Sequence, residues 1–177
     1  MASAPEAVPG LFEDEAADHP LALGPVEALP WMAAQTRLTF ARVGVIDPLS
    51  LDDYKAHGGL EGLKAALAAP DRIVAEVTES GLRGRGGAGF PTGIKWATVA
   101  RAAAERKYIV CNADEGDSGT FADRMLMEGD PFTLIEGMAI ACYATGSTAG
   151  YNYLRGEFHH EPFEHLDVPV RLEPPQQ

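Results

Sequence analysis

The stretch GLRGRGGAGFPTGIKW, residues 81–96, sets six glycines into thirteen positions, with Arg83, Arg85 and Lys95 among them. Without a Cβ, successive backbone N–H groups can converge on an anion, and a helix beginning near Gly93 would add the positive end of its dipole. The expected chemistry is the cradling of a phosphate-bearing ligand. Residues Gly84 to Gly89 satisfy G-x-G-x-x-G literally, but a helical pattern precedes them where the dinucleotide fingerprint requires a strand, so that ordinary reading fails. Phe90 and Trp96 could stack on a flat ring, although the spacing of Trp96 suits a core position better.

A second group lies at the end of the segment YIVCNA and just after it: Asn112, Asp114, Glu115 and Asp117. At the carboxyl end of a parallel strand, where open α/β sheets bind ligands, such groups accept hydrogen bonds from sugar hydroxyls and ring N–H groups. Taken alone, the turn would read as solvated acids favouring the next helix; the glycine loop one helix upstream favours a ligand. GDSGT resembles a serine-protease signature, but Thr120 stands where glycine continues that motif and no base is identifiable by spacing. HEPFEH misses the HExxH zinc pattern by one residue and carries Pro162 where the helix should run, so His159, His160 and His165 are read as tail residues and no metal site is assigned.

The elements that must position these groups are readable from local signals. Ser50 caps a short helix through Tyr54, Gly58 and Gly59 break it, and a second helix runs from about Leu60 to before Pro70. Ile73, Val74 and Val77 share one face of a third helix stopped at Gly81. Helical period resumes over GIKWATVARAAAERK. YIVCNA reads as a buried parallel strand, TFADRMLMEGD as a helix opened by Ser118 or Thr120, and PFTLIEGMAIACYATG as a longer helix from Pro131 to before Gly146. GYNYLRGEF alternates as a second strand. The expected fold is α/β, a Rossmann-like parallel sheet with flanking helices and an irregular N-terminal extension.

Twenty-six acids against fourteen bases give a formal charge of −12, which opposes nucleic-acid binding. Cys111 and Cys142 show no metal-ligand spacing and read as buried free thiols of a reducing compartment. With no basic, apolar leader at the N-terminus and no segment suited to crossing a bilayer, a cytoplasmic protein without direct membrane insertion is expected.

With both motifs in view, residues 31–158 resemble the flavoprotein, NADH-oxidising subunit family of respiratory complex I, together with its relatives in soluble NAD-dependent formate dehydrogenases and bidirectional hydrogenases. The wording NADEGDSGTFADRMLMEGDP is most similar to the beta, diaphorase, subunit of formate dehydrogenase; complex I usually has Pro at the position of Ser118. The resemblance implies FMN held by Gly84, Arg85, Gly86, Gly87, Lys95, Asn112, Asp114 and Glu115, NADH stacking near Phe90, and Asp117 close to the NADH ribose. It implies hydride transfer between NAD(H) and FMN, with no catalytic side chain of the protein's own, and electrons exchanged with iron–sulfur partner subunits of a multisubunit dehydrogenase. Thr98 stands where an aromatic often helps seat NADH. Family members carry a 4Fe-4S cluster on four cysteines in a later domain; those cysteines are not in this sequence. The expected organisation is a flexible tail over 1–30, the N-terminal part of the FMN/NADH-binding domain over 31–158, and a Pro-rich tail outside the family pattern over 159–177, as in a truncated or frameshifted product. The competing reading is a non-catalytic remnant that serves only as a binding or docking module.

Overall fold

The computed structural model describes residues 28–154. The chain divides into the units Met1–Ala41 and Arg42–Gln177. In the first, the described residues hold helix α1 (Pro30–Ala33), with Pro30 at its start and Trp31 exposed. In the second, the order is α2 (Leu51–Ala56), α3 (Glu61–Ala68), a 3-10 turn (Pro70–Arg72), α4 (Ile73–Glu79), α5 (Thr92–Arg101), β1 (Tyr108–Ala113), α6 (Ala122–Gly129), α7 (Pro131–Thr145) and β2 (Ala149–Leu154). His159, His160 and His165, read above as tail residues, lie outside the described residues.

Local chemistry sets most of the boundaries. The Ser50 hydroxyl accepts the Asp53 N–H at 3.1 Å, capping α2. Gly58 turns with φ +81° and ends it. Asp130 caps α7 through its side chain, Pro131 opens the helix, and Gly146 closes it at φ +71°. Two expectations need correction. Helix α5 stops at Arg101, short of Lys107, because Ala102 turns to extended backbone. Lys107 then folds back and donates from Nζ to the carbonyls of Ala100 at 2.9 Å and Thr145 at 3.2 Å, tying together the carboxyl ends of α5 and α7. Helix α6 is opened by neither Ser118 nor Thr120; its N-cap is Phe121, which offers no side-chain bond.

Strands β1 and β2 pair in parallel, Tyr108 opposite Ala149 through Ala113 opposite Leu154. The connection through α6 and α7 covers one face of this sheet. There Cys111, Ala113 and Leu154 pack with Met127 of α6 and Leu134 of α7. Gly150 lies so close beneath α7 that a Cβ would meet Met138 Cε at 3.0 Å. The other face is open: Tyr108, Val110, Tyr151 and Tyr153 are exposed, Val110 by 62%. The expectation of a buried parallel strand is thus met on one face of YIVCNA and corrected on the other. An apolar run records the preference for a strand, not the number of layers laid over it. Cys142 is buried as expected, whereas Cys111 is only partly so.

A polar clamp joins α7 to α2 and the segments around it. Arg42 Nε donates to the fully buried carboxylate of Asp130 at 2.8 Å, and its guanidinium lies 4.8 Å from the centre of the Tyr54 ring. The Tyr54 hydroxyl donates to Glu136. The same carboxylate accepts the N–H groups of Leu60 and Leu63, each at 2.8 Å. Gly59 is required beside this contact, because a Cβ there would overlap the Tyr54 ring. Burial alone would push the Glu136 carboxyl up, but hydrogen bonds from Tyr54, Leu63 and Leu60, with the Arg42 charge, together hold it below its ordinary 4.5. A carboxyl depressed on folding stabilises the protein above its unfolded value and loses that contribution as pH falls through the folded one. The wild-type thermal midpoint should thus fall as pH drops below about 4.5, and Glu136→Gln should flatten that fall while lowering the midpoint at neutral pH. Melting curves between neutral pH and the acid limb check this; parallel curves for the two proteins would refute it.

Candidate functional site

The glycine loop is held as a closed neck. Thr92 N–H donates to the Leu82 carbonyl and Gly84 N–H to the Phe90 carbonyl, both at 2.9 Å, and an antiparallel bridge pairs Arg83 with Pro91. Above this neck residues 84–88 are exposed. Gly87 and Gly89 take φ of +93° and +58°, backbone that side chains with a Cβ rarely adopt. Among the described residues nothing lies within 4 Å of where a Cβ would stand at Gly86, Gly87 or Gly89. That free approach is what a phosphate on backbone N–H groups demands. Arg85 sits on the loop, its guanidinium donating to the Arg83 carbonyl at 3.0 Å. Lys95, in the first turn of α5, brings Nζ to 5.8 Å from the centre of the Phe90 ring, so these expected site residues meet. Trp96 is half-buried on α5. The α4–α5 hairpin fixes both ends of the loop: Gly93 is buried against Thr78, with no room for a Cβ between them.

The acidic turn is a second, separately bonded unit at the carboxyl end of β1. Asn112 Oδ1 accepts the Asp114 N–H at 3.2 Å, an Asx turn that reverses the chain as the strand ends. Asp117 accepts the Thr120 N–H through its carbonyl at 3.1 Å. Glu115 has the left-handed φ of +45°, and its carboxylate accepts the N–H groups of Asp123 at 2.8 Å and Arg124 at 3.1 Å. Its side chain thus supplies the cap that Ser118 and Thr120 were expected to give. The signal was a carboxylate near a helix start, but at a separation of eight residues no local capping pattern identifies it. Burial and, after it, the Glu115 charge push the Asp123 carboxyl up. Burial and then Asp123 push the Cys111 thiol up, and burial does the same for Cys142, so both sulfurs are held as thiols.

Fold and site together define an α/β unit with an open, cation-bearing glycine loop at the start of one helix and a hydrogen-bonding acidic turn at the end of a parallel strand. Residues 77–167, just over half of the chain, match the family described as Nuo51 FMN-binding domain, and the chain belongs to that family. It is 55% identical over 118 residues to an NADH-quinone oxidoreductase subunit of Rhizobium meliloti (strain 1021), covering 66% of this chain and 28% of that protein. It is 53% identical over 125 residues to the HndC subunit of the NADP-reducing hydrogenase of Solidesulfovibrio fructosivorans, covering 70% of this chain and 25% of the relative. Its structure resembles a chain of the NAD+-reducing NiFe-hydrogenase in the air-oxidized state, with a TM-score of 0.57 and 32% identity over 75% of this chain and 21% of that one. The chain thus spans about a quarter of the length of these relatives.

FMN fits the residues present. The loop offers unobstructed backbone and two cations, Arg85 and Lys95, for a phosphate, while Asn112 and Asp114 offer acceptors for hydroxyls and ring N–H groups. Among the described residues no three His, Cys, Asp or Glu side chains are grouped to hold a metal ion, and no helix is long and apolar enough to cross a membrane.

Proposed function

We propose that this chain is the FMN- and NAD(H)-binding part of an NADH dehydrogenase or diaphorase subunit. The observation that carries the reading is the glycine loop: left-handed backbone at Gly87 and Gly89, open space above it, and cations on its flanks. Gly84, Gly86 and Gly87 present backbone to the phosphate, and Arg85 and Lys95 neutralise it. Asn112, Asp114 and Glu115 meet the remainder of the flavin from the turn after β1. Phe90 offers a face for the nicotinamide beside Lys95, and Asp117 an acceptor for a ribose hydroxyl. A bound FMN would supply the chemistry of exchanging a hydride with NAD(H) and single electrons with an iron–sulfur centre. The side chains bind and orient.

Residues 1–177 contain only two cysteines, and a 4Fe-4S cluster takes four thiolates, so the electron partner's ligands lie outside this sequence. The partners in this reading are iron–sulfur subunits of a multisubunit dehydrogenase. The assembly is of the complex I or hydrogenase kind to which the relatives belong; a formate dehydrogenase rests on the wording of residues 112–131 alone. Free thiols support a reducing, cytoplasmic setting.

Titration of the purified chain with FMN, riboflavin and FAD by flavin fluorescence tests the reading. FMN should bind about tenfold tighter than riboflavin, because a charge-assisted phosphate contact adds on the order of 1.5 kcal/mol or more. Preference for FAD, or a colourless protein with normal far-UV circular dichroism that binds none of the three, overturns it; the latter result supports the non-catalytic binding or docking reading.

A further inference from the structure

Arg83 lies beside the proposed phosphate site, yet its guanidinium is engaged on the far limb of the loop. Its Nη1 donates to the Gly89 carbonyl at 2.9 Å, on the chain limb opposite its own. Its neighbours explain the need. Pro91 faces Arg83 as a non-hydrogen-bonded pair of the bridge, so neither residue's backbone adds a bond across the neck there. The loop above is mostly glycine, which loses more conformational freedom on ordering than any other residue. Backbone bonds tie Leu82 to Thr92 and Gly84 to Phe90. The guanidinium reaches one residue further into the loop and fixes the carbonyl of Gly89, itself left-handed at φ +58°. Arg85 in turn rests on the Arg83 carbonyl.

We infer that Arg83 is a positioning residue for the phosphate cradle: by gripping the Gly89 carbonyl it holds residues 84–89 in their open shape before a phosphate arrives. The inference rests on the reading of this loop as the cradle for the FMN phosphate. An arginine that meets the phosphate itself would have to leave Gly89; one that positions stays.

The test uses the full chain and Arg83→Met, an exposed substitution that should leave the far-UV circular dichroism unchanged. Hydrogen exchange over residues 81–92 is measured without ligand, and the FMN dissociation constant is measured over a range of salt concentrations. Arg83→Met should speed ligand-free exchange of the 84–90 amides about fivefold and weaken FMN about tenfold, with the salt dependence of binding retained, because the lost charge did not face the phosphate. Unchanged exchange in the ligand-free variant overturns the inference, as does a weakened FMN affinity whose salt dependence has dropped, which makes Arg83 a phosphate contact. Failure of the wild-type chain to bind FMN at all refutes the site reading itself and is seen before any variant is made.

Discussion

Gly93→Ala lowers the thermal midpoint by roughly 6–12 °C and loosens the loop with it. The Cβ added at Gly93 would overlap the Thr78 hydroxyl and lie 2.5 Å from Thr78 Cα. A hydroxyl can rotate away, but the backbone moves only with its helix, so α4 and α5 must part along the seam where they pack. Overpacking of this kind costs about 3 kcal/mol, at about 2–4 °C per kcal/mol for a chain of this size. Thr78→Ala in the same chain should recover little, since the clash with the Thr78 backbone remains. Circular dichroism melts decide the matter; a Gly93→Ala midpoint within a degree of wild type would show that the helices slide apart freely. Because α4 and α5 carry the two ends of the glycine loop, ligand affinity should fall along with stability.

Gly87→Val should do the opposite, abolishing ligand binding while sparing the fold. At φ +93° a β-branched residue is strained by about 1–2 kcal/mol, and the loop can relieve this only by changing shape. Among the described residues nothing lies within 4 Å of the new Cβ, so no packing between them is lost. The side chain would fill the space proposed for the phosphate. FMN affinity should drop at least about a hundredfold, near 2.8 kcal/mol, with the thermal midpoint lowered by no more than about 2–8 °C and the fold retained. Gly86→Val isolates the steric part, since Gly86 is not among the left-handed glycines. Retention of FMN affinity within threefold in Gly87→Val removes the loop from the site, and unfolding of the variant makes the glycine structural.

The contrast between these glycines marks what a linear reading can reach. Six glycines among three cations were legible as a loop that brings backbone to an anion, and the local phrasing predicted a helix after it. Nothing in the wording separates Gly93, pressed on Thr78, from Gly87, standing in open space. The acidic turn was legible too, at the end of its strand. That Glu115 turns its carboxylate onto the start of α6 was not, because the contact crosses eight and nine positions of chain.

The sequence by itself determined what depends on neighbours within about a turn of chain: the Ser50 cap, the stop at Gly58, the start at Pro131, the end at Gly146, and the motifs that carry the family resemblance. These rest on backbone preferences and on side chains that reach their own backbone three residues away. Tertiary structure decided the rest. Tyr54 meets Glu136 across 82 positions and Arg42 meets Asp130 across 88, contacts that form only once α7 packs beside α2 and α3. Lys107 ties the carboxyl end of α5 to that of α7. The sheet keeps one aromatic face open because both connecting helices, α6 and α7, lie on the other. An apolar residue states that burial is favourable, and only the packed chain supplies the surface that buries it.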